Sequence, residues 1–156
     1  LTSPARTWWF RLGEITALEA PGPAAGDPGD RSTTSLVELL TDLVDALDEI
    51  EAHLETHRFL VGDQPTEADW RLFPTLIRFE WVYHGLFKCN LSRLIDYPNL
   101  FAYTRELYQW PGIAATVIER HIRDGYFGSM RNLNPSGIVP AGPIVDFNAP
   151  HCRSAI

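Results

Sequence analysis

The sequence predicts an all-α fold: a bundle of about four to six helices followed by an extended, Pro- and Gly-rich C-terminal tail. Three observations carry this. Leu36, Leu40, Leu43, Leu47, Ile50 and Leu54 recur at alternating spacings of four and three, drawing one apolar stripe along a helix. From Thr66 a helix start signal opens a stretch, Trp70 to Tyr83, that is apolar on nearly every face. Beyond Gly125 the run Asn134-Pro135-Ser136-Gly137-Ile138-Val139-Pro140-Ala141-Gly142-Pro143 excludes regular helix.

Taken in order, residues 1–31 form an N-terminal segment and linker. The segment holds Trp8, Trp9 and Phe10, and Pro21 to Asp30 reads as a loop. The bundle domain is assigned to 32–124 and the tail to 125–156. Ser32, Thr33 or Thr34 caps the first helix. Asp42, Asp45, Asp48, Glu49, Glu51 and Glu55 fill its polar faces. It ends before Phe59, and Gly62 supplies a left-handed turn. Thr66 and Asp69 then make a structural N-cap, a capping box with Asp in place of the commoner Glu. Glu67 and Asp69 also stand where the helix dipole favours anions. Pro74 is tolerated early in the helix or marks a kink. Leu91 to Ile95 is a short helix, Pro98 opens another at its first position, and Leu100, Tyr103, Leu107 and Tyr108 give its buried face. A last amphipathic helix carries Ile113, Val117 and His121 beside Ala114, Ile118 and Ile122.

Composition narrows the function. The chain has 156 residues, 45% hydrophobic and 12% aromatic, with a net charge of −7. That suits one domain with a core and argues against nucleic-acid binding, which needs clustered cations. Arg120, Arg123 and Arg131 read as a solvated face or a local anion contact. No apolar run approaches the roughly 20 residues of a membrane span. Two cysteines, Cys89 and Cys152, with no CxxC pair, fit a reducing, cytoplasmic setting. The chain begins with Leu1, which suggests a fragment, a processed product or an unobserved start.

A family resemblance rests on an ordered set of residues. It starts with Leu60-Val61-Gly62-Asp63 and Thr66-Glu67-Ala68-Asp69-Trp70-Arg71-Leu72-Phe73, then Arg78-Phe79, Val82-Tyr83 and Phe87-Lys88-Cys89-Asn90. It continues with Asp96-Tyr97-Pro98-Asn99-Leu100, Leu107-Tyr108-Gln109, Pro111-Gly112, His121-Ile122 and Asn134 to Pro140. Over residues 36–156 the chain resembles the C-terminal helical domain of glutathionyl-hydroquinone reductases, the Xi-class, Omega-like glutathione transferases. It departs from them in having no Cys-Pro-Trp-Ala motif, and in Gly125-Tyr126-Phe127 and Ser129-Met130 where the family usually shows His-Tyr-Tyr and Ser-His.

The resemblance implies the quinone- or electrophile-binding half of an enzyme that reduces glutathionyl-hydroquinones. A low-pKa Cys attacks the glutathione sulfur, the ring carbon leaves and takes a proton, and a second glutathione resolves the mixed disulfide. Glutathione is then the co-substrate, bound mainly by a thioredoxin-like domain that also carries the thiol. This chain alone is expected to be inactive. By family analogy it forms a homodimer and acts on an aromatic electrophile; composition and spacing give no expectation of nucleic acid, membrane or metal as partners. The resemblance assigns Tyr83 and Tyr126 to substrate positioning or proton donation; Trp81, which like Tyr103, Tyr108 and Trp110 reads mostly as core or rim, is placed with them in the substrate-binding set. A Tyr ring packs on a planar substrate while its hydroxyl donates, although aromatic stripes also serve as core.

Other candidates read as structural. Cys89 follows Lys88, but no base is placed beside it. His53 and His57 have metal-capable i, i+4 spacing without a third ligand. Arg71 and Arg78 either pair with acids or reach glutathione. Alternatives to an enzyme half are a free-standing transferase-C-like binding or dimerisation module, or an inactive fragment.

Overall fold

The computed structural model describes the backbone of residues 33–153 and the side chains of residues 41–153. The proposed caps of the first helix, the N-terminal aromatics and the side chains of Leu36 and Leu40 lie outside the described residues. Among the described residues all regular structure is helical. α1 spans Thr33–Leu54 and α2 spans Glu67–Arg78. α2 runs on through a π-helical turn, Phe79–Tyr83, into a single turn, α3 (His84–Leu86). A 3₁₀ turn at Leu94–Asp96 precedes α4 (Pro98–Tyr108). A second, at Ala114–Thr116, precedes α5 (Glu119–Ser129).

α1 and α2 both pack on α4, and α5 packs on the π-helical turn. Leu43, Leu47, Ile50 and Leu54, from the predicted stripe, meet Leu72, Leu76 and Ile77 of α2 and Leu100, Tyr103 and Leu107 of α4 in one core. The α2–π segment is buried on most sides as its composition requires, with Val82 and Leu76 fully inaccessible. Gly62 adopts φ +74°, and Pro98 occupies the first turn of α4.

Buried and half-buried carboxylates join the elements. Asp69, fully buried, accepts from Leu60 N (3.0 Å), Thr66 N (2.7 Å), the Thr66 hydroxyl (2.9 Å) and the Tyr103 hydroxyl (2.7 Å). One side chain therefore closes the capping box and ties the α1–α2 loop to α4. Glu51 of α1 accepts from Asn99 N, Asn99 Nδ2 and Leu100 N at 2.7–2.9 Å, satisfying free N–H groups at the start of α4. Glu80, fully buried in the π turn, accepts from Leu94 N (2.6 Å) and pairs with Arg93 (2.9 Å).

Three boundaries differ from the sequence reading, the first being the short helix expected over Leu91 to Ile95, which is a 3₁₀ turn at Leu94–Asp96. The last amphipathic pattern does not make one helix from Ile113. Residues 114–116 form a 3₁₀ turn, the chain extends at Val117 and Ile118, and α5 starts only at Glu119. The C-terminal segment does not leave helix at 125 either, because α5 continues to Ser129 through Gly125 and Gly128. Burial of Phe127 and half-burial of Tyr126 against the core hold that turn, outweighing the roughly 1 kcal/mol that each interior Gly costs. The Ser129 hydroxyl adds a bond to the Gly125 carbonyl.

Beyond α5 the chain crosses the domain without regular structure to residue 153. Arg123 donates to the carbonyls of Gly142 (2.9 Å) and Pro143 (2.6 Å). Gln109 donates to those of Phe147 and Ala149 (2.8 Å each). Phe147 is buried against Trp81 and Tyr108. Arg153 is 1% exposed; it donates to the carbonyls of Leu54, His57 and Arg58 at the C-terminal end of α1, and its Nε lies 3.3 Å from Glu106 Oε2.

Candidate functional site

The wall between α2 and α5 carries a concavity that involves Tyr126, a predicted site residue. α5 presents two rows at i+4 spacing, His121, Gly125 and Ser129 beside Ile122, Tyr126 and Met130. Both rows face one way because residues four apart lie over one another on a helix. With Arg78 at the end of α2 they line a cavity of about 480 Å³. A second cavity, about 230 Å³, shares Arg78, His121 and Ile122 and is otherwise mostly apolar, walled by Phe73, Ile77, Val117 and Ile118. Together they form a two-lobed cleft with a hydroxyl-bearing lobe at Tyr126 and Ser129, a cationic waist, and an apolar lobe.

The Tyr126 ring stands edge-on to Phe87 at 6.1 Å between centroids. Phe87 in turn tilts against Tyr83 at 5.4 Å, and Tyr83 meets Phe79 edge-on at 6.3 Å. This chain of rings runs from the core to the cleft. Tyr126 is its half-buried end, whereas Tyr83 is 2% exposed and lines none of the described cavities. Tyr83 thus supports Tyr126 through Phe87 without sharing its cavity.

Trp81 faces elsewhere. It is buried, stands edge-on to Phe147 (5.4 Å) and has the Arg123 guanidinium 5.9 Å from its ring. It lines a separate cavity of about 460 Å³ with Glu80, Phe127 and Asn134. Its indole Nε1 is buried without a hydrogen-bond partner. The structure therefore brings Tyr126 to the cleft and places Tyr83 behind it and Trp81 beside another cavity.

The remaining candidates are accounted for locally. Arg71 pairs with Glu67 on the surface of α2. His53 and His57 stack at 4.2 Å and 9°, with His53 Nε2 3.3 Å from the Phe59 carbonyl. Burial lowers the His53 pKa, with His57 adding to the effect. No group of three or more potential metal-binding side chains occurs among the described residues. Cys89 is buried, and loss of solvent pushes its thiol up to about 11. Burial first, and then Asp69, hold the Tyr103 hydroxyl well above its ordinary pKa, so it serves as a neutral donor. No described helix is long and apolar enough to cross a membrane.

The sequence reading did not single out His121, Ile122 or Met130 as cleft residues. Their signal was present in the two rows at i+4 spacing around Tyr126. It was hidden because the helix was expected to stop at residue 125.

Comparison with known proteins follows the same lines. Residues 17–106 match the family described as Glutathione S-transferase, C-terminal domain. The chain is 51% identical over 106 residues to the glutathionyl-hydroquinone reductase PcpF of Sphingobium chlorophenolicum, covering 68% of this chain and 34% of that protein. It is 47% identical over 116 residues to the glutathionyl-hydroquinone reductase YqjG of Escherichia coli (strain K12), covering 74% and 35%. The glutathione-bound structure of YqjG superposes with a TM-score of 0.78 at 43% identity, over 81% of this chain and 41% of that one. A Xi-class transferase from Natrialba magadii gives 0.77 at 41% identity, over 79% and 38%. The chain spans about a third of the length of these two curated relatives.

Proposed function

Because this chain belongs to the glutathione S-transferase C-terminal domain family, we propose that it is the aromatic-ring-binding half of a glutathione-dependent reductase of glutathionyl-hydroquinones. The observation that carries the reading is the position of Tyr126: half-buried, braced by Phe87, and lining a cavity beside an apolar lobe. A flat phenolic ring needs an apolar wall to lie on and a donor for its oxygen, and a braced Tyr supplies both. In the reaction the carbon–sulfur bond of the conjugate breaks, sulfur passes to a thiol, and the ring carbon gains a proton. The role proposed for Tyr126 is to hold a phenolic oxygen by donating its hydroxyl hydrogen, fixing the ring while its charge changes.

The thiol that attacks is assigned to a domain outside these 156 residues. Cys89, buried and with its pKa raised to about 11, has the wrong environment for a nucleophilic thiolate. The relatives' names and the glutathione-bound YqjG structure support glutathione as co-substrate.

Titration of the chain with methylhydroquinone by calorimetry tests the reading. Saturable binding is expected, weakened roughly three- to tenfold in Tyr126→Phe by loss of one hydrogen bond. No turnover of a glutathionyl-hydroquinone with glutathione is expected from the 156 residues alone. Absence of binding, or a Tyr126→Phe variant that binds as wild type, would refute the assignment.

A further inference from the structure

We propose that Arg78, assisted by His121, selects substrates carrying an anionic substituent, a carboxylate, on the ring held at Tyr126; this rests on the reading above and specifies its substrate class. Arg78 and His121 line both lobes of the cleft, so they stand at its waist. Neither cavity has an acidic residue among its described lining residues. Most other arginines around the bundle are neutralised: Arg58 by Glu106, Arg71 by Glu67, Arg93 by Glu80, Arg120 by Asp124 and Arg123 by Glu119.

Arg78 is different. Its Nη1 donates to the Pro74 carbonyl at 2.8 Å, and it forms no ion pair with any described residue. That single bond fixes the guanidinium at the end of α2 while leaving four of its five N–H donors uncommitted to protein carboxylates. The acids nearest in sequence on α5, Glu119 and Asp124, are each engaged by an arginine of their own helix at 2.7 Å and 3.2 Å. In a chain of net charge −7, an arginine kept free of acids at the waist of a cleft is a recognition element for an anion. His121 contributes an N–H in either of its charge states. The half-buried position of Arg78 reduces screening relative to a fully exposed cation.

A hydroquinone with its phenolic oxygen at Tyr126 would direct a ring substituent toward the waist. A carboxylate there meets Arg78 and His121, whereas a neutral ester loses the charge-assisted bonds. The test compares 2,5-dihydroxybenzoate, its methyl ester and methylhydroquinone by calorimetry on the chain and on Arg78→Met, Arg78→Lys and His121→Gln. Wild type is expected to bind the acid about tenfold more tightly than the ester, the ratio for one charge-assisted bond. The preference should fall to near unity in Arg78→Met, survive in part in Arg78→Lys, and shrink with added salt. Affinity for methylhydroquinone should fall in Arg78→Met by less than affinity for the acid. Equal binding of acid and ester, or a preference that persists in Arg78→Met, overturns this inference while leaving the Tyr126 assignment standing. Failure of all three probes to bind overturns both.

Discussion

Removing the carboxylate of Asp69 should unfold the loop–helix junction that the bundle is built on. In Asp69→Ala the four donors that converge on this side chain lose their acceptor. Thr66 is half-buried, so water replaces part of what its amide and hydroxyl lose. Loss of the cap function costs about 1 kcal/mol. Leu60 N and the Tyr103 hydroxyl have no such recourse, since Leu60 is 7% exposed and Tyr103 fully buried. Each buried donor left unpaired costs about 1–3 kcal/mol. The sum is about 3–7 kcal/mol, enough to lower Tm by at least about 10 °C in a domain of this size.

Asp69→Asn should cost less than half as much. Its amide oxygen can stay with the buried pair, Leu60 N and Tyr103 OH, which both bond Oδ1, while the NH₂ faces the wetter Thr66 side. Urea unfolding followed by tryptophan fluorescence and circular dichroism would give both values. A cycle with Tyr103→Phe should show about 1–2 kcal/mol of coupling, because that change removes one of the stranded donors. A loss below about 1 kcal/mol in Asp69→Ala, with cooperative unfolding retained, would refute the description of Asp69 as the junction's shared acceptor.

Two further outcomes follow from buried groups. Under native conditions at neutral pH, iodoacetamide should modify exposed Cys152 and spare Cys89, as peptide mapping would show. Because burial raises the Cys89 pKa from 9.0 to about 11, its contribution to stability is complete below pH 9 and declines as pH rises toward 11; equal labelling of both cysteines would contradict its placement. Arg153→Met should destabilise by about 2–4 kcal/mol, since it leaves buried Glu106 with Arg58 as its remaining arginine and strips a donor from three carbonyls at and just beyond the end of α1. Pairing it with Glu106→Gln should recover part of that loss, and additive losses in chemical denaturation would show that the two do not act as a pair.

Features governed by near neighbours in the chain were legible in the sequence. The stripe through Leu43, Leu47, Ile50 and Leu54, the Thr66–Asp69 box, and Pro98 at a helix start each depend on local spacing. The family resemblance is matched by the domain comparison. What the spacing could not show were the long-range roles of charges. Glu80 lies in the most apolar stretch of the chain, and only the return of Arg93 and Leu94 thirteen and fourteen residues later explains its burial. Arg153 reaches Leu54 across ninety-nine residues. The start of α5 was misread because Ile113, Val117 and His121 keep helical spacing across a real break. Its end was misread because two glycines lower propensity without overriding the burial of Phe127.

The distribution of charge connects the fold to the cleft. Buried or half-buried acids sit where segments meet: Glu51 at the start of α4, Asp69 at the start of α2, Glu80 under the turn before α4, and Glu106 between Arg58 and Arg153. Each is held by backbone N–H groups, by an arginine, or by both, so its desolvation is compensated only when the junction is closed. That makes loop placement cooperative with the core, and it fixes the π turn and the α3 end that follows it, from which Tyr83 and Phe87 brace Tyr126. Stitching by acids also consumes the local arginines one by one. Arg78 escapes because its helix ends at the cleft and its nearest bonded acceptor is the Pro74 carbonyl, a neutral group. A helix that ended elsewhere, or an acid at position 122 or 126 in place of Ile122 or Tyr126, would have cancelled that charge. The same economy that closes the bundle therefore leaves Arg78, at the cleft, without an acid partner among the described residues.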